Sequence, residues 1–157
     1  MPKKYRILFV CMGNICRSPA AHGVMETLIE RDGLTERIQV DSAGTGGWHT
    51  GDLPDSRMRR HAARRGYDLI SRARQVKASD FRDFDLILVM DHQNLRDLRA
   101  FTQSPNDMQK VKLFCEFVKG RPETEVPDPY YGGDERFETV LDLVENGCEE
   151  ILLTIPR

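Results

Sequence analysis

Residues 7–19 read Ile7-Leu8-Phe9-Val10-Cys11-Met12-Gly13-Asn14-Ile15-Cys16-Arg17-Ser18-Pro19. The first four form a continuous apolar run, the pattern of a strand buried on both faces. Ser18 and Pro19 read as a helix start, with Ser18 at the N-cap and Pro19 at the first helical position, where its fixed φ suits it. Between strand and helix runs a loop that opens on Cys11 and closes on Arg17, with five residues between them. Successive loop N–H groups and a helix N-terminus together make an anion cradle. An arginine at its rim adds a planar, permanently charged fork that matches two phosphate oxygens. The same positive field favours the thiolate form of Cys11. A thiolate on the floor of a phosphate cradle is placed to attack phosphorus.

Taken singly, the parts are weak. A lone cysteine after an apolar strand is usually core. Cys11 and Cys16 as half of a metal site would need a second Cys/His pair at ligand spacing, and the sequence has none. A Walker phosphate loop ends in Gly-Lys-Ser/Thr, which is absent. The whole string C-x5-R-S-P, following a strand and opening a helix, is far more specific than any of its pieces.

Working outward, residues 19–31 place Ala20, Ala21, Val24, Met25, Leu28 and Ile29 at helical spacing, and Gly33 ends the helix. Residues 38–43 read as a second strand, and a strand–helix–strand unit this short implies parallel, right-handed pairing. A glycine-rich loop over 44–51 carries the only tryptophan, Trp48, expected as a pocket wall, and His49, expected as a surface residue. Helices are predicted over 54–65 and 77–81, and a third strand over 85–90. Asp91 follows that strand, where α/β proteins place their sites, although a helix N-cap explains it equally well. A fourth strand is predicted over 111–115, with Cys115 structural, and a last helix over 135–155. Between them, residues 119–133 are irregular and carry Asp128 between Pro127 and Pro129, which hold the carboxylate in one presentation. Alternating strands and helices predict an α/β single-domain three-layer sandwich over 1–157, a four-stranded parallel sheet with helices on both faces.

Composition narrows the function classes. A hydrophobic content of 39% and a charged content of 31% are those of an ordinary soluble protein. No apolar run approaches a membrane span, and no signal peptide is evident. Four cysteines do not make a small-domain disulfide framework, so a reducing, cytoplasmic setting is expected. The net charge of −2 predicts no bulk affinity for nucleic acid. Residues 57–77 nevertheless hold eight Lys/Arg against one acid, Asp68. A solvated helix face is the preferred reading, and steering of anionic phosphopeptides the sharper one.

The stretch Cys11–Pro19 resembles the signature loop of the low-molecular-weight protein tyrosine phosphatases. Val126-Pro127-Asp128-Pro129-Tyr130-Tyr131-Gly132-Gly133 resembles the same family's general-acid loop. Asp41-Ser42-Ala43-Gly44-Thr45, Ala73-Arg74-Gln75 and Met90-Asp91 fall between them in the family's order, so the resemblance covers essentially the whole chain. It implies the strand order 2-1-3-4, with the cysteine loop at the switch point. It implies Cys11 as nucleophile, Asp128 as general acid and then base, and Arg17 with the loop from Met12 through Gly13, Asn14, Ile15 and Cys16 to Ser18 as the phosphate cradle. Ser18 would help the thiolate leave, and Asn14, Ser42 and Asp91 would support the loop from behind. Trp48, Tyr130 and Tyr131 would flank an aromatic ring. The implied substrate is a phosphotyrosine-containing protein or peptide, with phosphate or another oxyanion in the loop. No metal or cofactor, no nucleic acid, no membrane and a monomer are expected. One departure stands out: many members have a histidine where this chain has Ser71.

Three rival readings remain. Protein-arginine phosphatases of the same family carry Thr where Ile15 stands. Arsenate reductases share the loop but relay a disulfide through further cysteines, and Cys115 and Cys148 lie far apart in apolar settings. A phosphotyrosine-binding module without turnover would not need Cys11, Arg17 and Asp128 together. Cys16 is also expected to pair reversibly with Cys11 on oxidation.

Overall fold

The computed structural model describes residues 3–156. Its elements are β1 (Tyr5–Cys11), α1 (Arg17–Arg31), β2 (Ile38–Gly44), α2 (Ser56–Arg64), α3 (Asp80–Asp83), β3 (Leu86–Val89), α4 (His92–Leu98), β4 (Val111–Leu113) and α5 (Asp134–Thr154). Short 3-10 turns lie at Arg99–Phe101, Asp107–Lys110 and Phe114–Phe117. Among the described residues the strands form one sheet in the order β2-β1-β3-β4, every pair parallel, as expected.

The apolar run of β1 is explained by what lies on each side of it. Ile7 and Phe9, with Leu86 and Leu88 of β3, meet α1 and α5. Leu8 and Val10, with Ile87 and Val89, meet Phe81, Phe84 and Leu98 on the opposite face. Alternate residues therefore serve two cores, and none can be polar. Phe9 packs on Phe114 at 6.0 Å between ring centroids.

Several boundaries differ from expectation. Helix α1 begins at Arg17, not Pro19, and Cys16 rather than Ser18 occupies the N-cap position, with no side-chain cap. The Ser18 hydroxyl is engaged by Cys11 and Asn14 instead. β4 stops at Leu113, where the Leu113 N–H donates to Glu116 Oε2 (2.8 Å) and the chain coils, carrying Cys115 into a 3-10 turn. Helix α2 starts at Ser56, because Asp55 accepts from the N–H groups of Arg57 (2.8 Å) and Met58 (3.3 Å) as an N-cap. Residues 77–79 precede α3 as a turn, closed by the Lys77 N–H on Asp80 Oδ2 (3.0 Å).

Two backbone ties bring distant segments to the carboxyl edge of the sheet. The segment around Arg74 lies against the end of β2, with Gly44 N–H to Arg74 O and Val76 N–H to Gly44 O both 2.8 Å. The Val126 N–H donates to Met90 O (2.9 Å), which draws the proline-bracketed segment to the end of β3. Three of the eight basic residues over 57–77 are held in ion pairs, Arg57 with Asp55, Arg65 with Glu138, Asp142 and Glu145, and Arg74 with Asp41 and Asp80. Among the described residues no helix is long and apolar enough to cross a membrane.

Candidate active site

β1 ends on Cys11, and the chain must turn sharply to start α1 six residues later. Asn14 makes that turn, with φ of +57°, in the left-handed region. An asparagine tolerates that region because its short amide can bond locally, and it does so here on both sides. Its Nδ2 donates to Ser18 Oγ (2.8 Å), and its Oδ1 accepts from the Arg74 N–H (3.0 Å). Ser18 Oγ in turn shares a hydrogen bond of 3.0 Å with Cys11 Sγ. The loop is fastened from outside as well: Thr45 N–H to Cys11 O and Gly46 N–H to Met12 O are each 2.9 Å, and Asp55 N–H to Ile15 O is 2.8 Å. Gly44 must be glycine, since a Cβ there would stand 2.7 Å from the Met12 carbonyl oxygen.

Arg17 is 3% exposed, and its guanidinium is fixed at three points. Nη1 donates to Asp91 Oδ2 (2.6 Å) and to Val126 O (3.1 Å), while Nη2 lies 3.7 Å from Asp128 Oδ2. Burial works against the charge, but the neighbouring Cys11, Asp91 and Asp128 outweigh it and hold Arg17 firmly protonated. Asp91 makes contacts of two kinds. It caps α4, accepting from the Asn94 N–H (2.7 Å), and it orients Arg17. Asp128 accepts from the Tyr130 N–H (3.1 Å), a turn that fixes its carboxyl.

Cys11, Met12, Gly13, Ile15, Cys16, Arg17, Trp48, His49, Asp128, Tyr130 and Tyr131 line one cavity of about 200 Å³. Trp48 is 72% exposed and Tyr131 92%, so both stand on the rim and not in a core. His49, expected at the surface only, is part of this wall. Ser42 is buried, and its hydroxyl hydrogen-bonds not the loop but His22 Nδ1 of α1 (3.1 Å). Of the two cysteines in the loop, Cys16 is set apart by its surroundings: burial first, then Asp55 and Cys11, push its thiol far up, so it stays protonated at neutral pH. Burial likewise raises Cys115 to about 11 and pushes the Cys148 thiol well above its ordinary value.

Three supports of the site escaped the sequence. The Arg74 N–H on Asn14 and the Val126 carbonyl on Arg17 are main-chain groups, which leave no side-chain signature. Asp55 did leave one, an Asp just before a helix, but its bond to the Ile15 carbonyl is again through the main chain.

A model of the low molecular weight phosphotyrosine protein phosphatase family matches residues 6–157. The chain is 47% identical to a putative low molecular weight protein-tyrosine-phosphatase of Synechocystis, over 97% of each chain. A protein tyrosine phosphatase from Entamoeba histolytica, crystallised with Hepes in its active site, superposes with a TM-score of 0.92 at 44% identity, over 96% of each chain. A Drosophila arginine phosphatase superposes with a TM-score of 0.87 at 31% identity, over 94% of this chain and 95% of its own.

Proposed function

The chain belongs to the low molecular weight phosphotyrosine protein phosphatase family, and from that premise we propose that it hydrolyses phosphotyrosine through a phosphocysteine intermediate without a metal. One observation carries the reading: Cys11, the buried Arg17 and Asp128 all line a single cavity rimmed by aromatic residues. Cys11, as thiolate, attacks phosphorus in line with the ester oxygen, forming the S–P bond as the P–O bond breaks. The N–H groups of Met12 through Ser18 and the Arg17 fork stabilise the equatorial oxygens as charge redistributes. They are fixed donors, supplying the positive charge that other phosphoryl-transfer sites take from cations. Asp128 gives its proton to the departing phenolate. The resulting carboxylate takes a proton from the water that attacks the phosphocysteine, which returns phosphate and the thiolate. Ser18, bonded to Cys11 Sγ, favours that departure. The aromatic rim, Trp48 with Tyr130 and Tyr131, fits a phenyl ring, and a phosphoserine would be too short to bring its phosphorus to Cys11.

Phosphate release from a phosphotyrosine peptide in excess EDTA, wild type beside Cys11→Ser, tests the reading. Turnover by wild type alone is the expected result. Turnover by both, or by neither, would sink it. A phosphoarginine peptide run alongside tests the chemistry of the Drosophila neighbour. Ile15 lines the cavity where arginine phosphatases carry Thr, so the phosphotyrosine peptide is expected to react faster.

A further inference from the structure

The phosphate loop and the segment bearing Asp128 come from opposite ends of the chain, yet a continuous run of bonds joins them through two residues of α2 and its cap. The Asp55 N–H donates to the Ile15 carbonyl in the phosphate loop (2.8 Å). The Asp55 carboxylate takes both arms of Arg57, Nε to Oδ1 at 3.2 Å and Nη2 to Oδ2 at 3.0 Å. That same Nη2 donates to the Tyr130 carbonyl (3.1 Å), and the Tyr130 N–H donates to Asp128 Oδ1 (3.1 Å). The Arg57 guanidinium also lies over the Tyr130 ring, 5.4 Å from its centroid, and over the Phe137 ring of α5 at 4.9 Å. A guanidinium can make all these contacts at once because it is a planar fork with donors on its edge and a polarisable face.

We infer that Arg57 is a positioning residue that sets the place of Asp128 relative to Cys11. Tyr130 is the relay: its carbonyl is held by Arg57 while its N–H holds the carboxylate. Asp55 is the anchor, tied by its main chain to the very loop that carries the nucleophile. Acid and nucleophile are thus referenced to one side-chain pair, not merely to the scaffold at large. The inference rests on Asp128 acting as the general acid.

A misplaced acid has a distinctive signature. Hydrolysis of an ester whose phenolate leaves badly needs the proton, and hydrolysis of one whose phenolate leaves readily does not. The experiment measures kcat/KM for phenyl phosphate and for dinitrophenyl phosphate in wild type, Arg57→Ala and Arg57→Lys, with inhibition by inorganic phosphate as a check on the loop. In Arg57→Ala, phenyl phosphate is expected to lose about tenfold to a hundredfold, the scale of a misplacement near an ångström. Dinitrophenyl phosphate is expected to lose less than about twofold, and phosphate inhibition to stay at its wild-type level. Arg57→Lys retains one donor for the Tyr130 carbonyl and is expected to recover part of the loss. Equal losses for both esters would mean general damage to the site and would overturn the inference, as would no loss at all. If Arg57→Ala fails to fold, Arg57→Lys and Asp55→Asn carry the same comparison of the two esters. A wild type unable to hydrolyse either ester, or an active Cys11→Ser, would instead overturn the reaction itself.

Discussion

At the scale of single residues, the phosphate loop depends on what its neighbours leave out as much as on its own side chains. Gly44 lends no Cβ, and the Met12 carbonyl uses the space at 2.7 Å. Gly44→Ala must therefore push the loop away from β2, and a shift near an ångström in the cradle is expected to cost about a hundredfold in kcat/KM. The change should be visible with every substrate, whatever its leaving group, which distinguishes it from the Arg57 variants. Asn14 is braced from a distant segment, its amide oxygen taken by the Arg74 N–H.

At the scale of elements, two helix caps double as parts of the site. Asp91 caps α4 and grips Arg17, so its two duties can be separated by substitution. Asp91→Asn keeps an acceptor for the Asn94 N–H, whereas Asp91→Ala loses it, and urea unfolding should find Asp91→Ala less stable by about 1 kcal/mol. Activity should not follow that difference, because both variants remove the charge that orients Arg17. Asp55 caps α2, and its carboxyl sits below the usual range: burial alone would raise it, but the Arg57 side chain and the N–H groups of Arg57 and Met58 prevail. A carboxyl so depressed contributes stability that is fully present above its unfolded-state pKa of about 3.9 and lost as pH falls through its folded value. The stability gap between wild type and Asp55→Asn should accordingly narrow on acidification below about pH 4, as read by thermal unfolding.

For the molecule as a whole, the all-parallel sheet and the placement of its loops follow from patterns visible along the chain. The two-sided burial of residues 7–10 and the C-x5-R-S-P string are enough to put the loop from Cys11 to Ser18 at the carboxyl edge. Element ends were less visible, because Ser18 has two possible partners and only the folded chain shows that Cys11 takes it. Contacts made by main-chain groups across large separations, such as Val126 on Arg17, could not be read from residue types at all. Because this loop is the junction of β1 and α1, the proposed binding of an oxyanion there would stabilise the native state against the unfolded chain. Inorganic phosphate at a hundred times its dissociation constant should add about 2.7 kcal/mol to wild-type unfolding, and much less in Arg17→Met.

The only tryptophan of the chain, Trp48, stands at the cavity mouth and not in either core. Tryptophan emission, excited selectively over the four tyrosines, therefore reports on this one loop. Its indole is already bathed in water in the native state, so denaturation should shift the emission very little, and the dye that nature supplied is a poor gauge of folding. A ligand whose ring slides beside it removes that water, and the emission should move to shorter wavelength in proportion to occupancy. The protein carries its own optical titration indicator, tuned to the state of the pocket and nearly blind to the integrity of the sheet beneath.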